Sequence, residues 1–172
     1  MTIEELLHRY AHGERDFSRS NFSKQNLSLA QLNHIVLKEA NLSCAALHGI
    51  DLLCANLSSA NLSAAKIIGA NLTGADLTKS NLSNALLSST TLTGASLAKA
   101  NLQRASLNYS NLSGVNLRDA NLQNANFKGA DLSGADLLGA DLHQADLTDA
   151  ILQDTVMPDG SIASSALGVD NG

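Results

Sequence analysis

Cys54 stands one multiple of a recurring spacing after His34, and a thiol beside an imidazole is an arrangement that can lower the thiol pKa and create a nucleophile. Lys24 and Cys44 repeat the spacing with an ammonium in place of the imidazole. His8 and His12 are four apart, which on a helix puts both rings on one face, where a metal can be held. Asp131, Asp136, Asp141 and Asp146 recur at every fifth position. No phosphate-binding glycine loop, serine triad or carboxylate pair in a cleft can be found. Whether any of these groups meet depends on the elements that carry them.

Those elements follow from one period. From Phe17 to Leu152 a large apolar residue falls on every fifth position, 28 times without an insertion or deletion; it is Leu in 24 units and Phe at 17, 22 and 127. Alanine usually stands two places before it, and Asn or Asp immediately before it. On an α-helix a step of five turns the side chain by roughly 140°, so these residues would spiral around the axis. On a flat strand an odd step sends alternate leucines to opposite faces. Burying all of them together needs a corner in every unit, and hence a coil.

A slower period sets the number of corners. Sampled at every fourth unit, the position before the leucine reads Asn21, Asn41, Asn61, Asn81, Asn101, Asn121 and Asp141. The position after it reads Ser23, Ser43, Ser63, Ser83, Gln103, Gln123 and His143. Sampling at every third or every fifth unit mixes Asn with unrelated types. Four sides per turn and about seven turns follow, giving a rod about 34 Å long at the strand spacing of about 4.8 Å. The step of four units is the one that separates His34 from Cys54 and Lys24 from Cys44. Gly74, Gly94, Gly114 and Gly134 share one corner, where a positive φ would favour glycine. The Asn row is suited to side-chain ladders or to local bonds with the turns.

Ala40-Asn41-Leu42-Ser43-Cys44 and Ala130-Asp131-Leu132-Ser133-Gly134 resemble the A(D/N)LXX unit of the pentapeptide repeat family, of the cyanobacterial type, over residues 15–154. The resemblance implies an all-β fold: a right-handed quadrilateral parallel β-helix with polar sides outward. Lys66-Ile67-Ile68, Leu86-Leu87 and Thr90-Thr91-Leu92 depart from the unit in outward residues while keeping the inward period.

A stacked coil exposes an apolar end unless something covers it. Thr2-Ile3-Glu4-Glu5 is a capping box, predicting a helix to about His12 with Gly13 as its stop. Ile3, Leu6, Leu7, Tyr10 and Ala11 share one face, so residues 1–13 read as an N-terminal capping helix. Residues 14–155 form the coil, and residues 156–172 a C-terminal cap and tail. Val156, Met157, Pro158 and Ile162 are expected to fold over the last coil, and Ser164–Gly172 to be mobile.

Charged residues make up only 16% of the chain, so Asn, Ser, Thr and Gln carry its solvation. Residues 1–86 hold 7 basic and 7 acidic side chains and residues 87–172 hold 4 and 9, a balance that argues against direct nucleic-acid binding. No stretch is apolar enough for a membrane span, and the N-terminus lacks the basic start and apolar core of a signal peptide. Two cysteines without a secretory context read as free thiols, so the expected compartment is the cytoplasm.

On this lattice His34 and Cys54 are neighbours and form the candidate reactive thiol. The same row continues to Glu14 and Gly74, and an open wall encloses no substrate. Cys44 and Cys54 lie two corners apart, too far for a disulfide within the chain. His8 and His12 have no third ligand, so no metal, cofactor or catalytic residue is assigned. Ile68, Leu86 and Tyr109 face outward on one side, with Leu29 and Ala46 nearer the lid, and form the candidate partner patch. The expected function is a non-enzymatic scaffold that binds an unidentified protein through its faces or ends, acting as a monomer with end-to-end or lateral association as the alternative.

The family resemblance implies a second function, since some members modulate DNA gyrase by presenting a DNA-like acidic rod. Mimicry needs acids in lines along the axis. Asp131, Asp136, Asp141 and Asp146 instead ring the rod, and the side through Lys79, Lys99 and Arg118 is basic in its middle.

Overall fold

The computed structural model describes residues 1–163, so the tail from Ser164, expected to be mobile, lies outside the described residues. Helix α1 spans Ile3–Ala11, and the two named strands, β1 (Thr155–Val156) and β2 (Ile162–Ala163), form an antiparallel pair. Between them the backbone winds. Parallel bridges join each bridged residue to the one four units later, from Asp16↔Val36 to Asp136↔Val156. Four bridged positions therefore fall in each winding, and the neighbour relation read from the Asn row is the one every bridge has. Each unit contributes a single paired residue, because the chain bends again before a second can align.

The bend has one form throughout. All the corner positions from 19 to 154, five apart, have positive φ; twenty of them carry side chains and eight are glycine. Gly74, Gly94, Gly114 and Gly134 have the expected positive φ, at 64–65°, and every other corner shares it. A left-handed L-residue costs roughly 1–2 kcal/mol. At each such corner below the last winding, the amide donates to a carbonyl of the next, as Lys79 N–H does to Ala98 O at 2.9 Å.

The inward leucines are buried from Phe17 to Leu137, with the alanines of the units between them, in one continuous core. The polar residues found there reach main-chain oxygens. Thr90 Oγ1 donates to Ile67 O at 2.8 Å, Ser110 Oγ to Leu87 O at 2.6 Å and Thr155 Oγ1 to Leu132 O at 2.7 Å. Ser80 Oγ has no partner. In the last winding Leu142, Leu147 and Leu152 are only partly buried, since nothing described stacks above them.

Helix α1 starts where Thr2 Oγ1 accepts the Glu5 amide at 3.1 Å, while the Glu5 carboxylate turns to Arg9 at 3.6 Å. It ends in a Schellman arrangement: Gly13 N–H donates to Tyr10 O and Glu14 N–H to Arg9 O, with Gly13 at φ 94°. Its inward face is narrower than the expected one. Leu6 joins the core, Ile3 and Tyr10 pack against it, but Leu7 and Ala11 are exposed. Tyr10 Oη donates to Asn33 O at 2.9 Å and the Arg9 guanidinium lies 5.4 Å over the Phe17 ring, which turns the helix onto its Ile3–Leu6–Tyr10 edge.

At the other end the backbone keeps register beyond Leu152. Leu137 N–H donates to Val156 O, and Gly139 N–H to Pro158 O. Ile162, expected to cover the last coil, is 66% exposed and pairs instead with Val156 in the β1–β2 ladder.

Candidate functional site

The wall of the coil explains its own composition. In a unit such as Asn81-Leu82-Ser83-Asn84-Ala85, four amides find main-chain acceptors: Asn81 in the preceding winding, Leu82 and Asn84 in the next, Ala85 in its own turn. The fifth, on the residue after the leucine, has no main-chain acceptor. Every Asn or Asp at a bridged position supplies one, its Oδ1 accepting that amide at 2.9–3.2 Å. Ladders between windings are fewer and mostly longer, as in Asn101 Nδ2 to Asn81 Oδ1 at 3.4 Å, with Asn71 Nδ2 to Asp51 Oδ1 at 2.9 Å the short one. The repeated Asn is thus spent on the backbone and leaves little chemistry on the surface.

Carboxylates in this position are held the same way. In the ring at the C-terminal end each Asp stacks on Asn: Asn111↔Asp131, Asn116↔Asp136, Asn121↔Asp141 and Asn126↔Asp146. Burial pushes the Asp136 carboxyl up, but Arg118 Nε at 2.5 Å and the Leu138 amide together hold it below the usual range. The His143 amide, then Gln123, lowers Asp141, and Thr148 lowers Asp146 through its hydroxyl and amide.

The candidate nucleophile is not assembled. Cys54 and His34 are both exposed corner residues in adjacent windings, and no hydrogen bond joins them among the described residues. The Cys54 thiol leans onto Gly74, where a Cβ would come within 3.3 Å of it, so it points away from His34. Lys24 and Cys44 sit in a corner row of the same kind, also without a bond. Both cysteines are free. The rings of His8 and His12 lie 4.3 Å apart, but His12 Nδ1 is 2.7 Å from His8 O, which takes one of the nitrogens a metal would use. Among the described residues no group of three or more His, Cys, Asp or Glu could hold a metal ion, and no helix is long and apolar enough to cross a membrane.

Charge pairs that the sequence did not suggest lie on the same lattice. Arg19 reaches Glu39, directly above it in the next winding, at 2.8 Å, in an open depression lined also by Asp16, Ser18 and Lys38. Arg118 reaches Asp136, also one winding on, and Arg9 pairs with Glu14 beside the helix end. A basic residue followed by an acid about four units later was the signal that could have found the first two. The arginine and its counter-charge both line that depression.

The outward apolar residues do share a side. Leu29 is 74% exposed, Tyr109 62%, and Ile68 and Leu86 just over a third, while Ala46 is half-buried. Leu29 lies on Gly49, and the Tyr109 ring on Gly129, each within 2.9 Å of where a Cβ would stand. Leu138 and Ile151, exposed on other sides, were not anticipated.

A family model described as pentapeptide repeats matches residues 16–52, 55–94, 85–124 and 116–154. Among solved structures, trypsin-treated QnrB1, a plasmid-mediated fluoroquinolone resistance protein, is 22% identical, with 87% of this chain and 77% of that one covered and a TM-score of 0.77. HetL, a pentapeptide repeat protein involved in heterocyst differentiation regulation from Nostoc sp. strain PCC 7120, is 33% identical over 95% of this chain and 100% of that one, with a TM-score of 0.34. The pentapeptide repeat protein alr5209, also from Nostoc, is 30% identical over 88% and 96%, with a TM-score of 0.48. The comparison with curated proteins returned no match.

Proposed function

The chain belongs to the pentapeptide repeat family, with a β-helix fold, and on that premise we propose that it is a non-enzymatic scaffold that presents its walls to a macromolecular partner. In this reading the coil is right-handed and four-sided, with about seven turns, and α1 closes its first end. It acts as a cytoplasmic monomer. What supports the reading above all is how the polar groups are used: the interior is apolar apart from a few hydroxyls, most of them bonded to main-chain oxygens, and most side-chain oxygens of the bridged rows serve the wall's own amides. No hydrogen bond joins the candidate thiol to His34 among the described residues, and both side chains are exposed. Proximity labelling in the native cells tests the proposal. Recovery of a reproducible partner that crosslinks to one wall supports it; no partner, together with measured turnover of a substrate, removes it.

Modulation of DNA gyrase is the second reading, and the acidic C-terminal half and the overall likeness to a fluoroquinolone resistance protein favour it. Against it, every aspartate of the C-terminal ring stacks on an asparagine, and Arg118 covers one of them. Supercoiling assays with and without a quinolone decide: no effect at a large molar excess of the protein eliminates the gyrase role.

A further inference from the structure

One wall departs from the repeat in a way that concerns hydrogen bonding as well as hydrophobicity. Its units are 26–30, 46–50, 66–70, 86–90, 106–110, 126–130 and 146–150, and the bridged position reads Asn26, Ala46, Lys66, Leu86, Ser106, Asn126, Asp146. Four successive windings therefore lack the Asn or Asp whose Oδ1 accepts the amide two places ahead. The His48 amide finds Ser28 Oγ at 3.3 Å instead. Those of Ile68, Ser88 and Asn108 donate no hydrogen bond among the described residues. Ser106 does not substitute, because its hydroxyl is turned to Asn108 Oδ1 at 2.6 Å, an atom that Ser88 Oγ also contacts at 2.6 Å. No other side has three such amides in consecutive windings among the described residues. Spaced at about 4.8 Å, they form a row of donors without acceptors along the rod.

The charges around the row match an acceptor with negative charge. Although the chain carries a net −5, the first six of these units contain no Asp or Glu and place Lys66 beside the donors; the wall's acids, Asp146 and Asp149, lie in the seventh unit, where Asp146 is next to Lys128. Large apolar groups flank the donors: Leu29 toward the helix end, Ile68 and Leu86 in the middle, and Tyr109 beyond. Tyrosine beside aliphatic residues on a flat surface is the composition of contact sites between proteins.

We propose that this wall docks a segment of a partner polypeptide in which carboxylates alternate with large apolar side chains. The carboxylates accept from the Ile68, Ser88 and Asn108 amides and face Lys66, while the apolar side chains cover Leu86 and Tyr109. The proposal rests on the scaffold reading and names the chemistry of its partner.

The test uses the full chain and a fluorescent peptide, acetyl-(Leu-Asp-Phe-Glu)3-amide, read by anisotropy. The (Leu-Asn-Phe-Gln)3 peptide and a short thymidine oligonucleotide are the comparison probes. The acidic peptide is expected to bind, more weakly as salt rises, and the two comparison probes at least tenfold less well. Ser106→Asn is the decisive variant, because it removes neither charge nor apolar area but gives the Asn108 amide an internal acceptor. It should weaken peptide binding about threefold to tenfold, the effect of one hydrogen bond, while its melting temperature stays equal or rises. Lys66→Gln should weaken binding and flatten its salt dependence, whereas Lys99→Gln, on another side, should change neither. Equal binding of the amide peptide, tighter binding of the oligonucleotide, no binding at all, or an unaltered Ser106→Asn would overturn the proposal. If it falls while crosslinks in native cells map to another wall, the scaffold reading stands. If crosslinks are absent and turnover is found, both fall.

Discussion

The residue immediately before each leucine has the most specific task in this chain, because one side-chain oxygen completes the hydrogen bonding of its unit. Asn81 Oδ1 accepts from Ser83 N–H at 3.1 Å and from Asn101 Nδ2 at 3.4 Å. Asn81→Ala leaves the first donor to water and should cost about 1 kcal/mol, read from urea unfolding. Ser96→Asn, at a position where the oxygen is not so placed, should gain a similar amount. The same bonds set the acid limit. Asp136, Asp141 and Asp146 are held below their ordinary value of 3.8 in the folded state. Their contribution to stability is complete above that value and is lost as pH falls below it, when the carboxyls protonate and stop accepting as anions. Thermal melts should therefore be flat above about pH 5 and decline below about pH 4, and Asp141→Asn, which keeps the amide's acceptor, should soften that decline. The Asx role was legible in the sequence only as one of two options. Residue type alone does not say whether an amide lies two places ahead or one winding away.

At the scale of elements, the winding was open to sequence reasoning because its period excludes helix and flat strand, whereas the facing of α1 was not. Five apolar residues span a broad arc on that helix, and an arc does not say which edge meets the coil. The bond from Tyr10 to Asn33 O and the seat of Arg9 over Phe17 decide it, both between groups distant in the chain. Leu6→Ala should cost about 2–5 kcal/mol, the range for a buried leucine, and Leu7→Ala under about 0.5 kcal/mol. Equal losses for the two would show that the helix sits on its expected wider face. The corners were legible only where glycine stands. Glycine is the usual marker of positive φ, yet the lattice amide bond lets Lys79, Asn84 and Tyr109 hold the same conformation. The partner patch was visible as outward apolar residues, but the missing acceptors beneath it became apparent only once the task of Asn was known.

For the molecule as a whole, fold and surface answer to different periods, and a deletion separates them. The core needs only the single-unit step, since any unit can place its leucine inward on any side. The walls need the four-unit step, since bridges join positions one winding apart and a side chain keeps its column only if whole windings separate it from its neighbours. Removing residues 71–75 takes out one complete unit, so every later leucine still points inward, while everything after the cut moves by one side. Ile68 then stays on its wall, and Leu86, Ser106 and Tyr109 move to the adjacent one; Thr93, whose amide also lacks an acceptor, takes the place of Ser88, and the row ends at Ser113, whose amide Asn111 accepts. Such a variant should unfold cooperatively with a modest loss of stability, because each winding meets only its neighbours. It should also lose the acidic peptide. Removing residues 61–80, a full winding, shifts nothing sideways; it deletes Ile68 but leaves Ser88, Asn108 and Tyr109 aligned with Leu29, and should retain part of the binding. Circular dichroism melts of the two variants, set beside their anisotropy titrations, distinguish a surface built column by column from one that tolerates any arrangement of the same residues.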